Sequence, residues 1–283
     1  MAIRPAKRVS RSNPTMEGAG VRLKRVFGYY DVPHLDPFLL LDHFGSENPD
    51  DYLAGFPWHP HRGIETITLM LNGEVEHGDS LGNGGVIGSC DCQWMTAGSG
   101  IIHQEMPKRT EGLMRGFQLW ANLPASHKMM EPRYRDVRKE NIPNVSPDKG
   151  VSLDVICGEL EGTSGPVKDI VTDPEYFNVR MDASTEFIHN VDADHNVFAF
   201  VYEGDAFFGP NGETRAEADQ LVLFDEGDEV YIKAGSSDLR FLLVSGKPIG
   251  EPVAWRGPIV MNTNEELRIA FSEYRDGTFI KHK

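Results

Sequence analysis

Short apolar segments separated by turn-forming residues dominate this chain and constrain its fold class. Glycine and proline supply 29 and 18 of the 283 residues. The segment 64–71 (IETITLML) has the alternating threonines of a half-buried strand, and it runs into Asn72-Gly73, a strong hairpin signal. Many short strands of this kind predict an all-β sandwich or barrel.

The remaining elements follow from the same reasoning. The capping box Thr263-x-x-Glu266 predicts one helix near the C-terminus, ending at Asp276-Gly277. Segment 124–150 has four prolines and no strand period, so we interpret it as the connection between two domains, 1–140 and 141–283. Further strands are predicted at 117–123, 153–157, 177–181, 196–202, 206–208, 220–224, 229–232 and 239–244.

A weak internal repeat suggests that the two halves are alike. Segment 68–74 (TLMLNGE) resembles 199–205 (AFVYEGD), an offset of 131 residues. Segment 95–103 (MTAGSGIIH) resembles 232–240 (IKAGSSDLR), an offset of 137 residues. With these offsets the second half has no counterpart of the histidine pairs described below.

The charge distribution argues against nucleic-acid binding. Residues 1–30 carry seven Lys or Arg and one acid, and since the net charge is −15, the rest of the chain carries −21. So acidic a body repels phosphate backbones, and we expect the basic segment to lie against it. No uncharged apolar run approaches the ~18 residues of a membrane span, and three cysteines cannot form a disulfide framework. We expect an intracellular monomer, cytoplasmic or, in a eukaryote, also nuclear.

Two short motifs carry metal-ligand chemistry. His59-Pro60-His61 precedes one predicted strand, and His103-Gln104-Glu105 borders another. In an extended chain, residues i and i+2 project to the same face, ~6.6 Å apart. Two such pairs on neighbouring strands supply three imidazoles and one carboxylate. This donor set suits Fe(II), Mn, Ni, Co, Cu or Zn, and it leaves coordination positions open for catalysis.

These motifs resemble those of the cupin superfamily, H-x-H-x₃-E and P-x-G-x₂-H, with Gly98 at the usual proline position. Longer segments are similar to the pirin family over about residues 20–280: DPFLLLDHFG (36–45), FPWHPHRGIETIT (56–68), QWMTAGSGIIHQEMP (93–107), FQLWANLP (117–124) and GPIVMNT (257–263). The resemblance implies a bicupin of two facing jelly-roll β-barrels. It also implies a metal, usually iron, in the N-terminal half alone.

The resemblance also implies roles for individual residues. His59, His61, His103 and Glu105 match the family's ligand pattern, while Glu65 stands where many other cupins place their carboxylate ligand and is the alternative to Glu105. The C-terminal cupin is expected to be metal-free, with its terminal segment packing back on the first barrel. Candidate substrate contacts are Gln118, Phe44 and Trp94, and the isolated His77 is expected at the surface.

The implied activity is quercetin 2,3-dioxygenase. Such an enzyme opens a flavonol with O₂ and releases carbon monoxide, with Glu105 as the general base. Other family members imply an alternative, a non-enzymatic regulator whose metal redox state controls binding to a transcription factor or metabolic enzyme. A storage or isomerase-like cupin fits the fold but not the family motifs.

Overall fold

A computed structural model describes residues 2–31 and 34–282, and the chain divides into two compact units. The N-terminal unit comprises Asn13–Lys139 with Ile249–Lys283, and the C-terminal unit comprises Met1–Ser12 with Glu140–Pro248. The predicted domain ranges 1–140 and 141–283 stay a prediction. In the structure, Met1–Ser12 groups with the C-terminal unit and Ile249–Lys283 groups with the N-terminal unit.

Most described residues are in β-strands, which confirms the predicted all-β fold. The strands before residue 150 are β1 (Ala6–Arg11), β2 (Asn13–Glu17), β3 (Val21–Phe27), β4 (Phe38–Ser46), β5 (Phe56–His61), β6 (Ile64–Asn72), β7 (Val75–Asp79), β8 (Gly84–Ile87), β9 (Cys92–Thr96), β10 (Ile101–Pro107), β11 (Met114–Asn122), β12 (Arg133–Val137) and β13 (Asn144–Val145).

The later strands are β14 (Val151–Cys157), β15 (Glu159–Leu160), β16 (Thr163–Ser164), β17 (Glu175–Met181), β18 (Glu186–Asn190), β19 (Asn196–Glu203), β20 (Asp205–Phe208), β21 (Thr214–Glu217), β22 (Gln220–Phe224), β23 (Glu229–Ala234), β24 (Leu239–Gly246), β25 (Ala254–Arg256) and β26 (Ile259–Met261). Short 3₁₀ turns lie at Tyr29–Asp31, Pro49–Asp51 and Lys139–Asn141.

Each unit contains the same pair of sheets. The N-terminal unit has a seven-stranded sheet, β12-β9-β6-β11-β4-β3-β2, and a four-stranded sheet, β5-β10-β7-β8. The C-terminal unit has the sheets β1-β22-β19-β24-β17-β14-β13 and β18-β23-β20-β21. The pairing confirms two similar halves, in which β6 corresponds to β19 and β10 corresponds to β23.

This correspondence corrects part of the sequence repeat. The offset of 131 aligns β6 with β19, as the sheets do. The offset of 137 is wrong, because 95–103 leads into β10 whereas 232–240 leads from β23 into β24. The similarity there comes from strand-turn pieces that occupy different places in the two sheets.

The predicted helix is confirmed as α1 (Asn264–Arg275), and both capping-box hydrogen bonds between Thr263 and Glu266 are present. The interpretation of 124–150 as a plain connection is wrong in one respect. It contains β12, which pairs with β9 at the edge of the larger sheet. β12 (RYRDV) is charged and half-buried, so it lacks the apolar period that identifies a strand.

The corresponding strands β6 and β19 differ in the residues that they bury. In the C-terminal unit, β19 reads NVFAFVYE and contributes to a continuous apolar cluster. Its counterpart β6 buries Glu65, Thr66 and Thr68, each no more than 3% exposed. Burying a polar group is costly unless it gains a partner. In β6 the N-terminal unit therefore has buried polar side chains at positions where β19 has apolar ones, which is typical of a strand beside a functional site.

The basic N-terminal segment forms part of the fold. β1 pairs with β22 in the C-terminal unit. The buried Arg4 guanidinium there donates to four carbonyl oxygens, those of Asp192, Ala193, His195 and Asp225. Among the described residues, no helix has the length and apolar character needed to span a membrane.

Candidate metal centre

Two neighbouring strands bring the paired histidines together. β5 and β10 are antiparallel partners in the four-stranded sheet, and His59 lies directly opposite His103. His61, two residues further along β5, projects to the same face as His59. The register shifts between His103 and Glu105, where β5 carries one extra residue.

The imidazole rings of His59, His61 and His103 form a compact triad. Their ring centroids are 4.4–5.0 Å apart, and one nitrogen from each ring lies within 4.8 Å of the others. Two nitrogens bound to one metal at ~2.1 Å lie at most about 4.2 Å apart. The triad is therefore close to the geometry of a shared ion.

Hydrogen bonds fix the tautomers of His59 and His61. The Nδ1 of His59 lies 2.9 Å from the Pro57 carbonyl oxygen, and the Nδ1 of His61 lies 2.9 Å from that of Pro258. A carbonyl oxygen only accepts, so each Nδ1 carries the proton and each Nε2 presents a lone pair. These two Nε2 atoms face each other at 3.1 Å. Two facing lone pairs require a cation, either a proton or a metal ion.

Burial disfavours the proton. Burial, together with the neighbouring His59, lowers the pKa of His61 to about 3. Burial also lowers the pKa of His103 well below its ordinary value. Both ring nitrogens of His103 are buried and have no hydrogen-bond partner. The triad therefore has the donor chemistry of a site for a divalent transition metal.

Glu105 lies in a second, overlapping group. Its carboxylate and the imidazoles of His77 and His103 each offer an atom within 4.8 Å of the others. His77 lies directly opposite Glu105 across β7 and β10. The four predicted ligands thus fall into two groups that share His103.

The expectation that His77 lies at the surface is wrong. His77 is 2% exposed and stacks on Tyr134, with ring centroids 4.9 Å apart. Its Nδ1 accepts from the Gln93 amide at 2.8 Å, and its Nε2 lies 3.5 Å from an Asp79 carboxylate oxygen. Val75, His77 and Asp79 alternate along β7 and are all buried, so His77 shares the inward face of this strand, which the polar sequence VEHGD does not indicate.

Glu65, the alternative carboxylate, lies elsewhere. It is 1% exposed and accepts a hydrogen bond from the Thr96 hydroxyl at 2.6 Å. Burial raises the pKa of this carboxyl. Among the described residues, no group of close metal-ligating atoms includes Glu65. Glu65 and Thr68 are three residues apart on β6, so Glu65 projects to the face opposite to Thr68 and does not line the cavity that opens beside the triad.

A cavity of about 620 Å³ opens beside the triad. His59, His61 and Glu105 reach it, and so do two of the predicted substrate contacts, Gln118 and Phe44. Trp94 is 1% exposed and does not line the cavity. Apolar side chains that sequence reasoning did not assign to the site include Leu40, Phe56, Trp120 and Trp255.

The C-terminal segment supports the ligand strand. The Pro258 carbonyl orients His61, and the Val260 amide donates to the Arg62 carbonyl oxygen at 3.1 Å. Lys128 is 1% exposed, and its ammonium donates to the carbonyls of Gly63 and Val260 and to the Asn122 amide oxygen. A side chain at Gly63 would place its Cβ 2.0 Å from the Val260 oxygen. These contacts join segment 258–260 to the residues that follow His61.

Arg62, which directly follows His61, makes a second set of buried contacts beside those of Lys128. The Arg62 guanidinium donates to the Ser99 carbonyl at 2.7 Å, to the Glu273 carboxylate at 2.7 Å and to the Phe279 carbonyl at 2.9 Å. It also lies 4.2 Å from the centroid of the Phe279 ring. Ser99 and Phe279 are far apart in sequence, so Arg62 couples the loop before β10 to the chain beyond α1.

Lys128 predicts a measurable pH dependence of stability. Burial lowers its pKa to about 7 from 10.5. Between these values the unfolded chain keeps a proton that the folded chain has released, so stability rises with pH, by at most ~1.4 kcal/mol per pH unit. We expect the urea midpoint of the wild type, relative to Lys128→Met, to increase from pH 7 to pH 9. Parallel pH profiles for the two chains would contradict this assignment.

The C-terminal unit shows no equivalent triad among its described residues. β23, the counterpart of β10, buries Val230, Ile232 and Ala234 on its inward face, where β10 buries His103 and Glu105. His189 contacts the Glu175 carboxylate at 3.1 Å, and His195 lies near the exposed carboxylates of Asp173 and Asp192. The absence of a metal from this unit stays a prediction.

Comparisons with known proteins agree with this architecture. The family model described as Pirin matches residues 20–121, and the one described as Pirin C-terminal cupin domain matches residues 176–280. A pirin-like protein from Caulobacter vibrioides is 45% identical over 280 residues, which cover 99% of this chain and 100% of that protein. A Pseudomonas aeruginosa protein with the provisional name quercetin 2,3-dioxygenase is 42% identical over 269 residues, 94% of each chain.

A solved structure extends the comparison. The crystal structure of a quercetin 2,3-dioxygenase from Acinetobacter baumannii is 33% identical, with a TM-score of 0.91 over 98% of this chain and 99% of that chain. The similarity covers both units, which confirms the bicupin fold. By its matches in both halves and over nearly its whole length, the chain belongs to the pirin family.

Proposed function

We propose that this chain is a flavonol 2,3-dioxygenase that uses Fe(II) to open quercetin-like flavonols with O₂. The facing lone pairs of His59 and His61 carry the proposal, because they call for a cation beside an aromatic-lined cavity. The quercetin 2,3-dioxygenase names of the Pseudomonas and Acinetobacter relatives support this choice of reaction.

The proposed metal ligands are His59, His61, His103 and Glu105. Imidazoles with one carboxylate suit Fe(II) and also Mn, Co, Ni, Cu or Zn. Four protein ligands leave open positions for a flavonol oxygen and O₂. When bound, such a metal acts as a Lewis acid that lowers the pKa of a coordinated hydroxyl group.

The cavity has the size and lining for a flat aromatic substrate. Its volume of about 620 Å³ lies within the ~300–1,000 Å³ typical of small-molecule sites. Phe44, Trp120 and Trp255 offer ring faces on which aromatic rings stack. The same rings keep bulk water from the reacting atoms, which strengthens the electrostatic interactions in the site.

Glu105 is the proposed general base. It accepts the proton of the flavonol 3-hydroxyl, which makes the flavonol electron-rich at C2, where O₂ adds. Ring opening then releases carbon monoxide. Glu105 is 8% exposed and lines the cavity, so its carboxylate reaches bound substrate without full contact with bulk water.

Thr68 contacts the Glu105 carboxylate, and Gln118 in turn contacts Thr68. The Thr68 hydroxyl lies 2.9 Å from Glu105 Oε1 and 2.6 Å from Gln118 Oε1. One hydroxyl proton serves only one acceptor, and the O and N atoms of an amide are assigned from the hydrogen-bond network. With its amide turned, Gln118 donates to Thr68 and Thr68 donates to an ionised Glu105. Both residues then hold the Glu105 carboxylate in one orientation.

Anaerobic reconstitution tests the proposed reaction. We expect the Fe(II)-loaded chain to consume quercetin after O₂ is admitted, with loss of the flavonol absorbance and release of one carbon monoxide per quercetin. Chains loaded with Mn, Co, Ni, Cu or Zn serve as comparisons, and a chain without metal is the control. A metal-loaded chain that leaves quercetin intact would contradict the proposal and favour the regulator instead.

A further inference from the structure

A row of aromatic rings leads from the proposed metal ligands to the protein surface. The His61 ring lies 4.9 Å from that of Trp120, and the Trp120 ring lies 5.9 Å from that of Trp255. Trp255 is 5.5 Å from Tyr29, and Tyr29 is 5.5 Å from Tyr30, all as centroid distances. We call Trp120, Trp255, Tyr29 and Tyr30 the aromatic row.

Exposure increases along the aromatic row. His61 is 2% exposed, Trp120 and Trp255 are half-buried, Tyr29 is 59% exposed and Tyr30 is 95% exposed. Substrate binding accounts for the inner three rings, which line the cavity, but Tyr30 does not line it. An aromatic ring so exposed gains little from packing. Tyr30 follows Tyr29 in the same 3₁₀ turn, and it extends the aromatic row from the cavity to the solvent.

The side chains of the aromatic row share one chemical property, their ease of oxidation. Tryptophan and tyrosine lose one electron more readily than most other side chains, and rings in contact pass an electron by short successive steps. A tyrosine that gives up an electron also gives up its phenolic proton, and water must accept that proton. Tyr30, at the solvent end, satisfies this condition. The row thus has oxidisable groups throughout and a proton outlet at its far end.

We propose that the aromatic row conducts one electron from Tyr30 to the metal centre when that centre meets hydrogen peroxide. The inference rests on the proposed metal site but not on flavonol turnover. One peroxide takes one electron from bound Fe(II) and one from the Tyr30 phenol. The phenolic proton passes to the solvent, the peroxide takes two protons from the solvent, and it becomes two water molecules with a net uptake of one proton. The products are Fe(III) and a neutral tyrosyl radical at the surface.

Such a path would protect the site. Without it, the second oxidising equivalent remains beside His59, His61 and His103, whose imidazoles are then oxidised. With it, the equivalent reaches Tyr30, where a small-molecule thiol reduces the tyrosyl radical by donating a hydrogen atom. The aromatic row therefore adds a second function, disposal of oxidising equivalents, to the oxygen chemistry proposed for this site.

The test treats Fe(II)-loaded protein with one equivalent of hydrogen peroxide in the absence of flavonol. Radical is followed by electron paramagnetic resonance, and oxidised residues are located by peptide mass spectrometry. We expect a tyrosyl signal and oxidation concentrated at Tyr30. Tyr274 is a suitable internal reference, because it is 39% exposed and lies outside the aromatic row. We expect its oxidation to stay well below that of Tyr30.

Two variants separate electron transfer from packing. Trp255→Phe keeps an aromatic ring in place but removes the readily oxidised indole. We expect Tyr30 oxidation to fall to the level of Tyr274 while oxidation of the ligand histidines rises. Tyr30→Phe removes the end of the row, and we expect the tyrosyl signal to weaken without loss of bound iron.

Three results would overturn the inference. The first is equal Tyr30 oxidation in Trp255→Phe and wild type, which would mean attack directly from solution. The second is equal Tyr30 oxidation in the iron-free chain. The third is a chain that binds no metal, shown by elemental analysis. A chain that binds iron and oxidises Tyr30 but leaves quercetin intact overturns the dioxygenase proposal alone.

Discussion

Replacing His61 with alanine is expected to abolish stoichiometric metal binding. Wild-type protein loaded with Fe(II) without oxygen should retain one metal per chain after dialysis, measured by elemental analysis. His61→Ala removes one of the two facing lone pairs and the imidazole that Pro258 orients. Loss of an outer-shell partner alone weakens metal binding by ~10–100-fold. Loss of a ligand should cost more, so we expect the variant to retain little metal.

A matched histidine in the other unit controls for folding. His189→Ala removes a buried imidazole that contacts the Glu175 carboxylate, far from the triad in sequence. This variant should keep its metal. Equal metal in His61→Ala and wild type would contradict the assignment. The same measurement on alanine variants of Glu105, Glu65 and His77 identifies the fourth ligand. Of the two carboxylate variants, we expect Glu105→Ala to lose metal and Glu65→Ala to keep it.

Local sequence rules predicted the elements on which the candidate site is built. Residues i and i+2 of a strand share a face, so the H-x-H and H-x-E motifs predicted histidines facing one another across neighbouring strands. β5 and β10 are such neighbours. Apolar runs predicted β6 and β11, and the capping box predicted α1. Each of these motifs spans only a few consecutive residues, so the spacing of the residues directly determines which side chains share a face or cap a helix.

The missed features depend on contacts between distant residues. Pro258 lies 197 residues from His61, and no local pattern indicates that its carbonyl orients that imidazole. Lys128 looks like a surface lysine in a proline-rich segment, yet its acceptors come from three separate parts of the chain. His77 has no histidine partner along β7 and joins the site only through its pairing with β10. The positions of these three residues depend on strand register and on contacts between segments that are distant in sequence.

Replacing Glu105 with glutamine is expected to separate metal binding from proton transfer. The amide oxygen of Glu105→Gln can still coordinate a metal and accept from Thr68, but it cannot take the flavonol proton. We expect most of the metal to remain and quercetin turnover to fall by ~10²–10⁴, the usual contribution of a general base. Elemental analysis and the loss of flavonol absorbance under O₂ measure the two effects on the same sample.

Glu65→Gln is the matched control, because it makes the same change at a buried carboxyl outside both groups of close ligand atoms. The pKa of Glu65 is raised by burial, and a protonated carboxyl resembles an amide in size and hydrogen bonding. Its variant should therefore keep both metal and turnover. If Glu105→Gln binds metal and consumes quercetin at the wild-type rate, Glu105 serves only as a ligand. A loss of turnover in Glu65→Gln would instead indicate a structural role for Glu65, because its side chain projects from β6 to the face opposite to Thr68 and the cavity.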